Sequence, residues 1–265
     1  MELIPLFSGS GGNSLLVRSD KTNILIDAGI CFKGIASALS MAGCSAGDID
    51  GVLITHEHTD HIKGLEVLVK KIAPPVYLNH KTFLSSGLSD NSKRSVRFFE
   101  GEEEFCIGDI SVIPFKTSHD SADPVGFSIR CGSMHILIAT DTGVVTRGIL
   151  DRILDVSVLY IESNYDEYML KTGPYPYFLK KRIAADTGHL GNSECAKLCV
   201  RAALNGTRRI ILSHLSRHNN TPELARASAG EALLAAGIPK THTSVEVAPI
   251  SSLLLPGPLL RCGND

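Results

Sequence analysis

The stretch Thr55-His56-Glu57-His58-Thr59-Asp60-His61 places four metal-competent side chains within six residues. His56 and His58 are two apart, so in an extended turn both imidazoles project to the same side and can share one ion. Asp60 and His61 follow where the chain bends into a helix, and they can face a second ion. A set of imidazole and carboxylate donors suits zinc, iron or manganese. The bland alternative is a capped helix with a polar loop, which leaves three histidines and an aspartate at this spacing as coincidence.

The flanking elements give this loop its setting. Gly51 to Ile54 is a short apolar run, the pattern of a buried strand. Ile62, Leu65, Leu68, Val69 and Ile72 then recur at helical spacing, which predicts a helix starting near Asp60. The loop therefore stands at the carboxyl end of a strand, where open α/β sheets bind ligands. Several other apolar runs end on a polar residue in the same way. Ile24 to Ile26 ends at Asp27, and the 110–115 run leads to His119. The 135–139 run leads to Asp141, 156–161 to Glu162-Ser163-Asn164, and 208–213 to His214. Taken singly, each has a plain reading as a turn aspartate or a solvated loop histidine.

The remaining pattern alternates strands with helices. Leu3 to Phe7 and Leu15 to Val17 are predicted strands around a glycine-rich turn, residues 8–14. Such a turn is a tight hairpin or a cradle of backbone N–H groups for a phosphate. Residues 124–129 and 135–139 make a hairpin, and residues 89–97 an exposed basic loop. Helices are predicted over 147–154, 193–204 and 221–237, the last with Pro222 in its first turn. Between 168 and 192, Tyr175, Tyr177 and Phe178 alternate with Lys171, Lys180, Lys181 and Arg182. Basic residues among aromatics can follow a nucleic-acid backbone and stack bases. The alternative is a proline-rich loop whose aromatics pack inward.

The chain has 265 residues, 43% of them hydrophobic, enough for one large core, and no linker or repeat divides it. We expect a single domain over residues 1–265. No apolar run approaches the roughly 20 residues of a membrane span. The amino terminus lacks the basic region and apolar core of a secretion signal. Seven cysteines without a Cys-x-x-Cys pair read as reduced thiols, and the expected location is cytoplasmic. Cys195 and Cys199 are one helical turn apart and suit packing. A net charge of −2 advertises no global field for nucleic acid, although two divalent cations would supply one locally. The oligomeric state is open.

His56-x-His58-x-Asp60-His61 resembles the signature of the metallo-β-lactamase superfamily of metallohydrolases. That resemblance implies an α/β fold, a four-layer αββα sandwich, with two divalent metal ions, zinc or manganese with iron possible. It implies that His56, His58 and His119 hold one ion, and that Asp60, His61 and His214 hold the other. Asp141 would bridge the two, while Asp27 would organise the metal loop without ligating. Asp60 and His189 are the residues expected to take part in the chemistry. His189 would stabilise the phosphate or donate a proton to the leaving oxygen, as in the nuclease-like branch.

Gly188-His189 before a helix and Ser213-His214-Leu215-Ser216 after a strand are similar to that branch. Ser8-Gly9-Ser10-x-Gly12-Asn13-Ser14, Glu162-Ser163-Asn164, Gly173-Pro174-Tyr175-Pro176 and Leu215-Ser216-x-x-Asn219-Asn220 together resemble the WalJ/YycJ-type family. Gly11 departs from the serine expected in that turn. The resemblance implies a 5′-to-3′ exonuclease on double-stranded DNA. Tyr175, Tyr177, Lys180, Lys181, Arg182 and Asn219 would then line the substrate path. The alternatives are a small-molecule phosphodiesterase, a thioester hydrolase of the same fold, or a non-catalytic metal-binding regulator. The last is disfavoured because a structural site would be closed by four ligands.

Overall fold

The computed structural model describes residues 1–254, and the apolar stretch that closes the sequence lies largely outside them. Its first sheet runs β1 (Glu2–Phe7), β2 (Ser14–Arg18), β3 (Asn23–Ile26), β4 (Gly51–Leu53), β5 (Val76–Leu78) and β6 (Val96–Phe98), side by side in chain order. The second runs β7 (Phe105–Ile107), β8 (Ile110–Lys116), β9 (Val125–Cys131), β10 (Met134–Ala139), β11 (Val158–Glu162), β12 (Arg209–Ser213) and β13 (Ser244–Val247). Both sheets follow one scheme. Each opens as an antiparallel meander, through β3 in the first and β10 in the second, and then continues parallel.

Parallel neighbours need crossovers, and these supply the helices. In the first half they are α1 (Phe32–Met41), α2 (Thr59–Ile62), α3 (Leu65–Ile72) and α4 (His80–Ser85). In the second they are α5 (Arg147–Arg152), α6 (Glu167–Thr172), α7 (Tyr177–Ile183), α8 (Asn192–Leu204) and α9 (Pro222–Ala235).

Strand alternation sorts the side chains into three apolar layers. In β10 every residue is buried, as expected of a strand covered on both faces. Its Ile136 and Ile138 meet Leu15, Val17, Ile24 and Leu53 of the other sheet, closing the layer between the sheets. Leu137 and Ala139 face the opposite way, onto Ile149 of α5 and Leu198 of α8. On the far side, Leu16, Leu25 and Val52 pack under Ile35, Leu39 and Leu68 of α1 and α3. Helix, sheet, sheet and helix are thus stacked as four layers, the αββα sandwich. Cys195 and Cys199 are buried in the α8 layer with their sulfurs 3.9 Å apart.

Two local expectations change, and one open alternative is narrowed. The helix after Asp60 is two helices, because a Cβ at Gly64 would lie 2.1 Å from the Ile30 carbonyl oxygen and the chain turns there against that backbone. Residues 90–95 are a 3-10 helix rather than a free loop, tied to α3 where Ser89 and Ser92 hydroxyls donate to Glu66. The 168–192 segment carries two short helices, α6 and α7, and Tyr168, Tyr177 and Phe178 remain about three-quarters exposed instead of packing inward.

Candidate metal centre

Every donor lies just past the carboxyl end of a strand, on the one edge of the sandwich where both sheets' parallel strands finish. β3 leads to Asp27, β4 to His56, β8 to His119, β10 to Asp141, β11 ends on Glu162, and β12 leads to His214. Asp27, Asp141 and His214 adopt left-handed backbone, with φ of 59°, 54° and 54°. That region costs a non-glycine residue roughly 1–2 kcal/mol, and here it turns the chain sharply as it leaves the sheet.

The first wall is a single loop. Thr55 is fixed through its N–H and hydroxyl to the two Asp27 carboxylate oxygens, at 2.9 and 2.8 Å. His56 Nδ1 is 3.0 Å from the Thr55 hydroxyl, and His61 Nδ1 is 2.8 Å from Asp27 Oδ2. Asn13, from the glycine-rich turn, places its amide 3.0 Å from His61 Nε2 and 3.3 Å from Asp60 Oδ2. The turn after Asp27 approaches this loop so closely that a Cβ on Gly29 would sit 1.7 Å from the Asp60 carbonyl oxygen.

The second wall is assembled from four loops. His119 donates from Nδ1 to the Gly188 carbonyl at 2.9 Å, leaving Nε2 3.2 Å from His58 Nδ1. Glu162 is fully buried, and its Oε1 takes both His189 Nδ1 and His214 Nδ1 at 2.7 Å. Its Oε2 accepts the backbone N–H groups of Thr142 and Leu190. The backbone of the His214 loop is pinned by Ser8, whose hydroxyl accepts the His214 N–H, and by the Asn164 amide on the His214 carbonyl. Asp141 stands between the walls, 3.2 Å from His61 Nε2, 3.4 Å from His214 Nδ1 and 3.8 Å from His119 Nε2.

The electrostatics are those of a site built around positive charge. Burial alone would push His61 down, but Asp141 and Asp27 carry it up to about 10. His214 is raised well above its ordinary value against the same burial, by Asp141, Asp60 and Glu162. Burial likewise opposes ionisation of Glu162, yet His189 and His214 hold it down at about 2. His56, by contrast, is kept neutral by burial and by the neighbouring His61. Three buried carboxylates and a partly buried fourth, Asp60, therefore converge on imidazoles, which protons or metal cations must neutralise.

The residues fit metal ions. Donor atoms of His56, His58 and His119 lie within 4.8 Å of one another, as do those of Asp60, His61 and His214, and those of His56, His61 and Asp141. The 3.2 Å separation of His58 Nδ1 and His119 Nε2 approximates the edge of a tetrahedron with arms of about 2.0–2.1 Å. His56 Nε2 and His214 Nε2 are buried with no hydrogen-bond partner, while the opposite ring nitrogens are engaged by Thr55 and Glu162. Outer hydrogen bonds that fix a ring and leave one nitrogen for a cation are the usual support of metal-ligating histidine. All seven ligands expected from the sequence are thus brought together, with Asp27 behind them and His189 beside them.

Substrate residues are more dispersed. Tyr177, Lys180 and Lys181 line one exposed face of α7, and Tyr175 packs its ring 5.6 Å from that of His218. Arg182 is not free, because it is paired at 2.6 Å with Asp120, whose other oxygen lies 3.6 Å from His119 Nε2. Asn219, expected on the substrate path, is instead fully buried, its amide 3.3 Å from the Ser216 hydroxyl. From there it braces the loop after His214.

Glu162 is the residue that sequence reasoning left without a role. A signal was present, since an apolar strand ending on a carboxylate is the pattern of Asp27 and Asp141 as well. Asp120 was likewise unassigned, and Asn13 was expected only as part of a phosphate-cradling turn and not beside Asp60 and His61. Arg217 is a further exposed cation at the rim, its guanidinium lying over Gly11.

The sequence matches the family described as Beta-lactamase superfamily domain over residues 22–215. It is 38% identical over 230 residues to an exodeoxyribonuclease YycJ of Bacillus anthracis, spanning 86% of this chain and 87% of that protein. It is 37% identical over 226 residues to an exodeoxyribonuclease WalJ of Streptococcus pneumoniae, spanning 83% of each. Among solved structures, the metallo-beta-lactamase fold protein YhfI from Bacillus subtilis superposes with a TM-score of 0.69 at 16% identity, covering 94% of this chain and 97% of that one. The short form of human tRNase Z superposes at 0.61 with 21% identity, covering 82% and 93%. At such identities the two structures establish the fold alone.

Proposed function

The chain belongs to the metallo-β-lactamase superfamily of hydrolases, and from that premise we propose a dinuclear exonuclease that cleaves the phosphodiester bonds of double-stranded DNA from the 5′ end. The observation that carries the phosphodiester reading is the composite site. Two donor sets meet at Asp141, and a partly exposed histidine, His189, is held beside them by a buried glutamate. The names of the two relatives above favour DNA as the polymer.

His56, His58 and His119 would hold one cation and Asp60, His61 and His214 the other, with Asp141 shared. Two divalent ions supply charge neutralisation at phosphorus and water acidic enough to react at neutral pH. The chain's own groups do the rest. Glu162 takes His189 at Nδ1 and so leaves Nε2 as the nitrogen that can face substrate. From there His189 delivers a proton to the leaving oxygen, a task suited to imidazole because its reference pKa lies near neutrality. Asp60, the most exposed of the four carboxylates at 27%, would both hold a cation and remain open to solvent. Lys180 and Lys181 give the strand a basic approach along α7.

The test is a substrate panel. End-labelled duplex DNA, single strands, RNA, a bis-aryl phosphodiester and a glutathione thioester are incubated with the manganese- or zinc-loaded protein. Duplex DNA shortened stepwise from its 5′ end is the expected result. Preferred hydrolysis of the thioester ends the nuclease reading.

A further inference from the structure

Beside α7, on the side away from the Arg182–Asp120 pair, lies an open groove of about 360 Å³ between α6 and α7. Tyr177, Lys180, Lys181 and Ala184 line it from one helix at spacings of three, four and seven, which is a single helical face. Leu170 and Lys171 line it from the other, and Tyr165 adds an aromatic wall. The surface of this groove is mainly apolar, yet three ammonium groups rim it. None of the three forms an ion pair among the described residues. Lys180 donates to the Lys171 carbonyl, and Lys181 stands 5.0 Å over the Tyr177 ring. Glu167, an acid at the same groove, already accepts the Ser193 N–H.

Helix α7 buries none of its residues, so the 72% exposure of Tyr177 serves no core. An exposed aromatic beside three lysines that outnumber the groove's one carboxylate is complementary to a flat ring attached to anions. Its volume stands at the lower end of small-ligand pockets and admits one base rather than a duplex. The groove also has a fixed relation to the chemistry. The opposite side of α7 reaches the donors through Arg182 and Asp120, and the Ile183 carbonyl accepts the His189 N–H at 2.9 Å. One helix diameter, about 10–12 Å, separates the two sides, a span that a few nucleotides can cover.

We propose that this groove holds one unstacked base of the strand being cut, a few nucleotides from the cleaved bond, with the lysines on its flanking phosphates. The inference rests on the DNA reading above and adds to it a base-binding subsite. Base–aromatic stacking is worth about 1–3 kcal/mol per base, so loss of the base should raise KM roughly 5- to 150-fold.

The experiment is abasic scanning. A set of duplexes carries a single abasic residue at each of the first several positions of the cut strand, and KM is measured for the wild-type protein and for Tyr177→Ala. The expected result is a rise in KM confined to one or two neighbouring positions in the wild type and absent in the variant. Tyr177 is a surface residue, so the variant should retain its thermal stability, which a melting curve checks. Uniform KM along the scan, or the same position-specific rise in Tyr177→Ala, overturns the inference. A wild-type protein that cleaves the thioester but no DNA ends the nuclease reading and this subsite together, whereas DNA cleavage with a flat scan ends the subsite alone.

Discussion

The two walls of the metal centre are built in opposite ways. The amino-terminal sheet contributes His56, His58, Asp60 and His61 from one loop after β4, braced by Asp27 after β3. The carboxyl-terminal sheet contributes Glu162 from the end of β11 and His119, Asp141, His189 and His214 from four separate loops. The local wall is organised by a short-range motif, so its donors hold their mutual geometry largely through one carboxylate. The distributed wall depends on the register of β10, β11 and β12, and on one buried glutamate that engages two of its histidines. Asp141 is the residue through which each wall faces the other.

That contrast can be broken most completely at its seam. Asp141→Ala should reduce turnover to background and release one of two cations per chain, measured by DNA cleavage and elemental analysis together. His189→Ala comes next. It should keep both metals and the fold while losing about 10²–10⁴-fold in rate, the range of a general acid. The loss should shrink on a nitrophenyl ester, whose leaving group needs no proton. The braces sharpen the comparison further. Glu162→Gln and Asp27→Asn should each cost about 10–100-fold in activity or metal affinity, the scale of outer-shell support. They should differ in kind: the first disturbs His189 and His214 together, the second only the 55–61 loop. Metal titration of the two variants distinguishes these outcomes.

The smallest effect lies away from the centre, on α3. Glu66 is held down at about 2 by the Ser89 hydroxyl, Lys70 and Ser92. A depressed folded value means that its contribution is complete above the usual glutamate range. It is then lost as pH falls from about 4.5 toward 2. Glu66→Gln should remove that contribution, so thermal unfolding followed between pH 6 and pH 3 should show a shallower fall for the variant.

The same contrast governs how much of the molecule could be read from its sequence. The local wall was legible almost entirely, because His56-x-His58-x-Asp60-His61 keeps its donors within the reach of one turn. The distributed donors were visible only as polar residues ending apolar runs. Resemblance to a family joined His119, Asp141 and His214 to the site, whereas Glu162 carried the same strand-end signal and gained no role. Its function exists only when β11 lies between β10 and β12 and brings His189 and His214 to one oxygen. Asn219 is placed away from the surface for a related reason. A polar residue beside a ligand reads as substrate-facing, but tertiary packing turned this one inward to Ser216. The broken helix at Gly64 depended on contact with Ile30, more than thirty residues earlier, which periodicity does not register.

The claim on which the rest depends is that both walls hold cations around Asp141. Anomalous diffraction from crystals of protein purified without chelators tests it directly. The account predicts two metal peaks per chain, about 3.5–4 Å apart. One should be bounded by His56, His58 and His119 and the other by Asp60, His61 and His214, with the Asp141 carboxylate between them. A single peak, or two peaks with Asp141 touching neither, would contradict it.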